Sequence, residues 1–413
     1  MPSFPAWRSV PLTLLVLALA GPVRAFTLQD SPKVLVDQVW QLVNQEFVDP
    51  KFNRQDWAAV RRELLGRSYG TPEESYSALR SVLQRLGDPY TRFLSPDQFE
   101  QLAGRTNGNV TGVGLTLAPD PDEQRPVVVR LQPTSPAQVA ELRLGDRLLT
   151  VDGKSTRELS SDDVQQLLEG APGTTVVLKL ERDRRIFEVS LIRRVVEVPS
   201  VSYRLIRQGA NNLGYIKLDE FSQRSAGEMR KAVQDLEGQG AQGFLLDLRG
   251  NPGGLLDASI DIARLWLDRG VIVRTVPRNG KADSIWANGT AITRLPLVLL
   301  VDQYSASSSE VLTGALKDNR RALVVGTQTF GKAVVQSVHR LPGGAGVAVT
   351  VAHYYTPNGT DLGNKGIRPD RDIYLSRQDK LRYRFLPEIY GSRDDFVLYE
   401  GLAALGQQIA ARP

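Results

Sequence analysis

Between Ser31 and Leu94 the apolar residues recur at helical spacing: Leu35, Val39, Leu42 and Val43 first, then Leu79, Val82, Leu83 and Leu86, with Gly87 as a stop. This period predicts a helical N-terminal domain, bounded at 26–106, with Trp40, Trp57 and Tyr76 packed in its core. From Asn109 the texture turns to short strand-like runs at 112–117, 127–131, 147–151 and 175–180, with one helical pattern at 161–169. Val164, Leu167 and Leu168 mark the buried face of that helix, and 107–195 reads as a β-rich domain. After Ser200, strand-like runs at 214–218, 243–248, 295–301 and 322–325 alternate with helical patterns at 225–237, 255–267 and 307–317. That alternation predicts an α/β domain over 196–413, with parallel strands joined by right-handed crossovers and ending on one edge of one sheet.

The first 25 residues follow another pattern. A cationic start with Arg8, an apolar run from Val10 to Ala20 and the small-residue site Val23-Arg24-Ala25 predict a secretory signal peptide over residues 1–25. The run is too short to span a bilayer comfortably, and nothing later reaches the roughly 18 to 20 consecutive apolar residues a transmembrane helix needs. An exported protein with at most peripheral membrane association is expected. The 413 residues, 41% hydrophobic and 23% charged, suit a globular multidomain chain. With no cysteine, thiol catalysis and cysteine-ligated metals are excluded. Formal net charge is +5, and loss of Arg8 and Arg24 would leave +3, a mild balance under which nucleic-acid binding is not expected. The two histidines, His339 and His353, lie in strand-like stretches at 334–341 and 346–355 and form no spaced ligand set, so structural or surface roles are expected, with no metal and no cofactor.

Loops at the carboxyl ends of parallel strands are where α/β sheets build their sites. Three unusual loops fall there: Arg249-Gly250-Asn251-Pro252-Gly253-Gly254, Ser305-Ala306-Ser307-Ser308-Ser309-Glu310, and Thr329-Phe330-Gly331-Lys332. Each has a plain structural explanation. Asn-Pro-Gly-Gly makes an ordinary turn, Gly331-Lys332 fits a surface turn, and Ser307-x-x-Glu310 is a complete capping box. Together they fit one acyl-transfer site, with Ser307 as nucleophile and Lys332 as base. The N–H of Ser308, at a helix N-terminus, and one from the neighbouring glycine loop would form an oxyanion hole. Lys332 can act only if deprotonated, which calls for burial; Phe330, Ala333, Val334 and Val335 supply apolar flanks.

Gly112-Val113-Gly114-Leu115 at the first strand of 107–195, and Gly145-Asp146-Arg147-Leu148-Leu149 leading to Asp152-Gly153, resemble a PDZ domain. The resemblance implies that a peptide's C-terminal carboxylate meets the glycine-rich loop while the peptide adds as a strand beside the helix, making Val113, Gly114, Leu115, Val164 and Leu168 candidate substrate contacts.

The resemblance extends over nearly the whole mature chain. It takes in Leu86-Gly87-Asp88-Pro89-Tyr90-Thr91-Arg92-Phe93-Leu94, Gly214-Tyr215-Ile216, Asp247-Leu248-Arg249 with the glycine loop, and Phe330-Gly331-Lys332 with Gln336. Tyr355-Thr356-Pro357-Asn358-Gly359 and Lys365-Gly366-Ile367-x-Pro369-Asp370 complete the set. In that order they resemble the carboxyl-terminal processing (tail-specific) serine peptidases. The resemblance implies a crotonase-like or ClpP-like core, Ser307 as nucleophile, Lys332 as general base, Gln336 orienting the lysine, the backbones of Gly253 and Ser308 as oxyanion donors, and structural support from Asp318. Val36-Asp37-Gln38-Val39-Trp40 and Phe52-Asn53-Arg54-Gln55-Asp56-Trp57 resemble the cyanobacterial and chloroplast branch, whose members trim the C-terminal extension of the photosystem II reaction-centre core protein. It implies protein substrates with free apolar C-terminal tails and a location in the thylakoid lumen or periplasm; oligomeric state stays open. The alternative is a catalytically inactive PDZ chaperone or adaptor with Ser307 serving only as a helix cap, while a small-ester hydrolase lacks its GxSxG elbow. Three positions depart from the family pattern: Ala333 and Glu141 replace usual glycines and Gly250 a common asparagine or aspartate. If its turn needs positive φ, Glu141 carries strain of roughly 1 kcal/mol or more.

Overall fold

The structure is a computed structural model describing residues 31–119, 125–157, 159, 161–363, 365–379, 383 and 389–411. The expected signal peptide lies outside the described residues. No helix among them is long and apolar enough to cross a membrane.

The N-terminal period resolves into helices Pro32–Glu46, Trp57–Gly66 and Pro72–Gln84. Asp56 and Thr71 cap the second and third by accepting the N–H of Ala59 and Glu74. Trp57 is fully in the core, whereas Trp40 and Tyr76 are half-buried and pack against it. Three short helices cannot close a core alone. Theirs is completed by Phe93 and by Leu341, Ala345, Val347 and Val349, which flank or belong to strand Gly346–Tyr355. Strand Arg92–Leu94 pairs antiparallel with that same strand.

The β-rich segment is a five-stranded antiparallel path, Leu115–Pro119, Pro126–Leu131, Arg147–Val151, Thr175–Arg182 and Arg185–Ile192, neighbours in that order. Leu115–Pro119 is thus an edge strand, and helix Ser161–Leu168 packs beside it. The chain enters and leaves this domain through a two-stranded ribbon, Asn109–Gly112 against Arg194–Glu197.

The α/β sheet runs Val201–Gln208, Asn211–Leu218, Gly243–Asp247, Leu297–Val301, Leu323–Gly326, Arg371–Asp372. Its first pair is antiparallel and every later pair parallel. All residues of Gly243–Asp247 and Leu297–Val301 are buried, because helices cover both faces. Helices Ser225–Gly238, Leu256–Trp266 and Ser308–Asp318 pack on one face and Phe396–Ala410 on the other. The register Leu300↔Asp247 and Val301↔Gly326 brings the three loops that follow these strands to one edge.

Candidate active site

Ser307 stands between strand Leu297–Val301 and helix Ser308–Asp318 with φ 55° and ψ −116°. A side chain at such φ is strained and must be held by its neighbours. Ala306 donates its N–H to the Asn251 carbonyl at 3.0 Å. The hydroxyl of Ser305 donates to Leu248 at 2.9 Å, that of Ser308 to Gly254 at 2.9 Å, and that of Ser309 to Asn251 at 3.0 Å, all backbone carbonyls. Three serines of the block thus stitch it to the glycine loop. The fourth, Ser307, donates to no carbonyl among the described residues; it is half-buried, beside the buried phenol of Tyr354, whose hydroxyl donates to the Lys332 carbonyl.

Glu310 organises the site from beneath. Fully buried, its carboxylate accepts the N–H of Ser307 at 2.9 Å, so the capping box forms around the candidate nucleophile. It also accepts from the Thr329 hydroxyl at 2.6 Å and the N–H groups of Gly331 and Lys332 at 2.7 and 2.9 Å. One carboxylate therefore sets the Ser307 loop against the Lys332 loop. Burial pushes its pKa up, and these four donors pull it back. The sequence exposed only the local half of this role, since nothing in Ser307-x-x-Glu310 points to residues 329–332.

The Lys332 amine donates to Gln336 Oε1 at 2.8 Å and lies 4.7 Å from the centroid of the Tyr90 ring. Gln336 is itself fixed by donating Nε2 to the Tyr90 carbonyl at 2.6 Å. Burial lowers the Lys332 pKa and Arg92 pushes it the same way, against Asp88 and Glu310. Phe330 corrects the expected apolar setting: it is 56% exposed, and the Tyr90 ring, brought by the 86–94 motif, covers the amine instead. Ala333 is buried and absent from the positive-φ residues, so it needs no glycine. Gly250 has φ 72°, a conformation asparagine and aspartate also tolerate.

Gly253 also differs from expectation. Its N–H donates to Asn251 Oδ1 at 2.9 Å and does not stand open for an oxyanion. What glycine provides here is room: a Cβ would lie 2.8 Å from Ser307 Cβ and 3.0 Å from the Ser308 nitrogen, too close for any side chain. The Ser308 N–H, at the first turn of the helix, donates to no described residue.

Behind the loop, Arg249 is buried between two carboxylates, with contacts of 2.6 Å to Asp247 and 2.6 Å to Asp395. Burial alone would raise the Asp247 pKa, but the Arg249 guanidinium holds it at about 2. Asp318 ends the helix that Ser307 begins and accepts the N–H of Asn358 at 2.9 Å, a structural placement. His339 bonds Glu46 of the first helix at 2.8 Å and His353 is exposed; among the described residues neither bonds Ser307 or Lys332.

In the β-rich domain Val113, Leu115, Val164 and Leu168, expected as substrate contacts, are instead packed in the core between edge strand and helix. Gly114 has φ 75° and lies so close to Ser135 that a Cβ would meet its Cβ at 2.2 Å. Glu141 does have positive φ, 58°, with its side chain exposed.

Residues 212–373 match Peptidase family S41 and residues 127–182 match the PDZ domain. A carboxyl-terminal-processing protease of Picosynechococcus is 40% identical over 401 residues, which cover 96% of this chain and 95% of that one. The chain belongs to peptidase family S41. Within it, this carboxyl-terminal-processing serine protease is also 38% identical to the chloroplastic carboxyl-terminal-processing peptidase 3 of Arabidopsis thaliana, over 91% of this chain and 75% of that protein. Among solved structures it resembles a photosystem II D1 C-terminal processing protease, at 35% identity and a TM-score of 0.56, covering 88% of this chain and 98% of the other.

Proposed function

We propose that this peptidase is a tail-directed endopeptidase of an exported compartment, the thylakoid lumen or periplasm, with a Ser307–Lys332 dyad. Ser307 Oγ attacks the scissile carbonyl carbon while the neutral Lys332 amine takes the hydroxyl proton. The Ser308 N–H meets the oxyanion, and the proton passes to the leaving amine nitrogen. Water, deprotonated by the same lysine, then releases the acyl group. Gln336 keeps the amine oriented, and Gly253 lets the loop approach closely enough for the tetrahedral centre to fit. The observation that carries this reading is the Ser307 hydroxyl: alone in its serine block it keeps its proton off a backbone carbonyl, and Glu310 links its loop to that of a lysine made less basic.

The unpaired edge of Leu115–Pro119 suits a substrate tail adding as a strand, its carboxylate at the Val113-Gly114-Leu115 loop and its apolar side chains toward Val164 and Leu168. The chloroplastic relatives and the solved D1 processing protease favour the photosystem II reaction-centre core protein precursor as substrate. Incubating residues 26–413 with a peptide bearing a free apolar tail, its amidated twin and a Ser307→Ala control tests the reading. Cleavage lost in the control and weakened by amidation is expected. Tail binding without cleavage would turn it toward the adaptor alternative.

A further inference from the structure

We infer that the amino end of the catalytic sheet carries a docking cleft for an acidic protein segment, separate from both the dyad and the PDZ groove. A cleft of about 940 Å³ opens there, lined by Trp266, Arg269, Trp286, Arg294, Arg320 and Arg321 among others. Strand Leu297–Val301 starts at this cleft and its carboxyl end leads into the Ser307 loop, so the two sites lie at opposite ends of a strand that spans about 13 Å.

The charges in the cleft are unbalanced. Four arginines line it against one acid, Asp268, which is already paired with Arg294 at 2.9 Å. Arg321 is built into the floor: it donates to the carbonyls of Trp266 and Leu295 at 2.9 Å each and stacks 5.6 Å over the Trp266 ring. Arg269 and Arg320 are exposed, with no carboxylate partner among the described residues. Arg320 holds φ 56° in the turn that closes helix Ser308–Asp318, its N–H donating to the Lys317 carbonyl at 2.8 Å. Trp286 stands at the rim, 58% exposed. Arginine beside an exposed tryptophan is the composition of protein-binding hot spots, and guanidinium forks match carboxylates two bonds at a time. The occupant is therefore an acidic peptide segment that enters the cleft, favoured over a flat anionic lipid surface, which would meet only the rim.

The test uses the full chain and a labelled peptide of alternating glutamate and glycine, followed by anisotropy at low and high salt. Arg269→Glu/Arg320→Glu should weaken binding at least about tenfold, a loss of about 1.4 kcal/mol. Lys51→Glu/Arg54→Glu, which changes net charge equally in the turn between the first two N-terminal helices, should not. The milder Arg269→Gln/Arg320→Gln pair guards against misfolding, and cleavage of a short uncharged peptide should stay unchanged in every variant, which separates this site from the dyad. No binding at low salt, or equal loss in both charge-reversed variants, would overturn the inference. Binding of anionic vesicles, but not of the peptide, abolished by the cleft substitutions would overturn it in favour of a membrane surface.

Discussion

On the proposed mechanism the chemistry turns on Lys332, and its environment fixes a sign. A base that must be neutral gains activity as pH rises through its pKa, so kcat/KM should climb along a limb lying below the ordinary lysine value of 10.5. Arg92 contributes to that lowering from an exposed position, so Arg92→Gln should move the limb to higher pH, and less so at high salt. A limb that moves down would contradict the arrangement. Glu310→Gln probes the other half of the site. An amide offers one acceptor oxygen where the carboxylate offers two, so at least one of the donors from 307, 329, 331 and 332 must face an NH2 group. An unmet buried donor costs about 1–3 kcal/mol, and turnover should fall steeply in a protein that still folds, as circular dichroism and turnover measured together would show. Glu141→Gly removes left-handed strain at a solvent-facing turn and should raise PDZ stability by about 0.5–1 kcal/mol in a denaturant titration. The loops of Ser307 and Lys332, which Glu310 brings together, were legible in the sequence because turn chemistry marks loops. Glu310 was legible only as a cap and Tyr90 only as part of a motif, because their contacts to the dyad join distant segments.

At the scale of elements, the glycine loop is clamped from behind by the last helix. Asp395 caps Phe396–Ala410 through the Leu398 N–H and closes on Arg249, which also bonds Asp247. Breaking one side of a buried ion pair strands a charge, so Asp395→Ala should cost about 3–5 kcal/mol and loosen the catalytic loop, with stability and turnover falling together. The same cluster sets an acid limit. The Asp247 pKa is depressed in the fold, so its contribution to stability is present above the ordinary 3.8 and is lost as pH falls through about 2. Urea midpoints measured across that window should drop in the wild type and drop less in Asp247→Asn. Periodicity showed the parallel strands and their helices closely enough to bring three loops to one edge. It could not show the clamp, because Asp395 lies 146 residues from the arginine it holds.

For the whole molecule, the connections between parts matter most. The N-terminal helices share a core with strand Gly346–Tyr355, whose Tyr354 touches Ser307. The ribbon leading to the PDZ domain is tied to the catalytic loop by one short strap. Gln223 donates its N–H to the Thr106 carbonyl at 2.9 Å, Arg224 pairs with Glu197 at 2.9 Å, and Phe221 donates to the Gly253 carbonyl at 2.9 Å. Movement of the PDZ domain thus has a covalent and hydrogen-bonded route to the glycine loop beside Ser307. Deleting 109–191 should therefore change turnover of tail-bearing proteins; unchanged activity would argue against gating. The measurement that tests the central claim most directly is turnover of a free-tailed substrate by Lys332→Ala, with melting temperature and tail affinity recorded on the same protein. The account expects turnover to vanish while folding and tail binding stay as in the wild type. Retained turnover would show that Ser307 takes its base from elsewhere and that the dyad is misassigned.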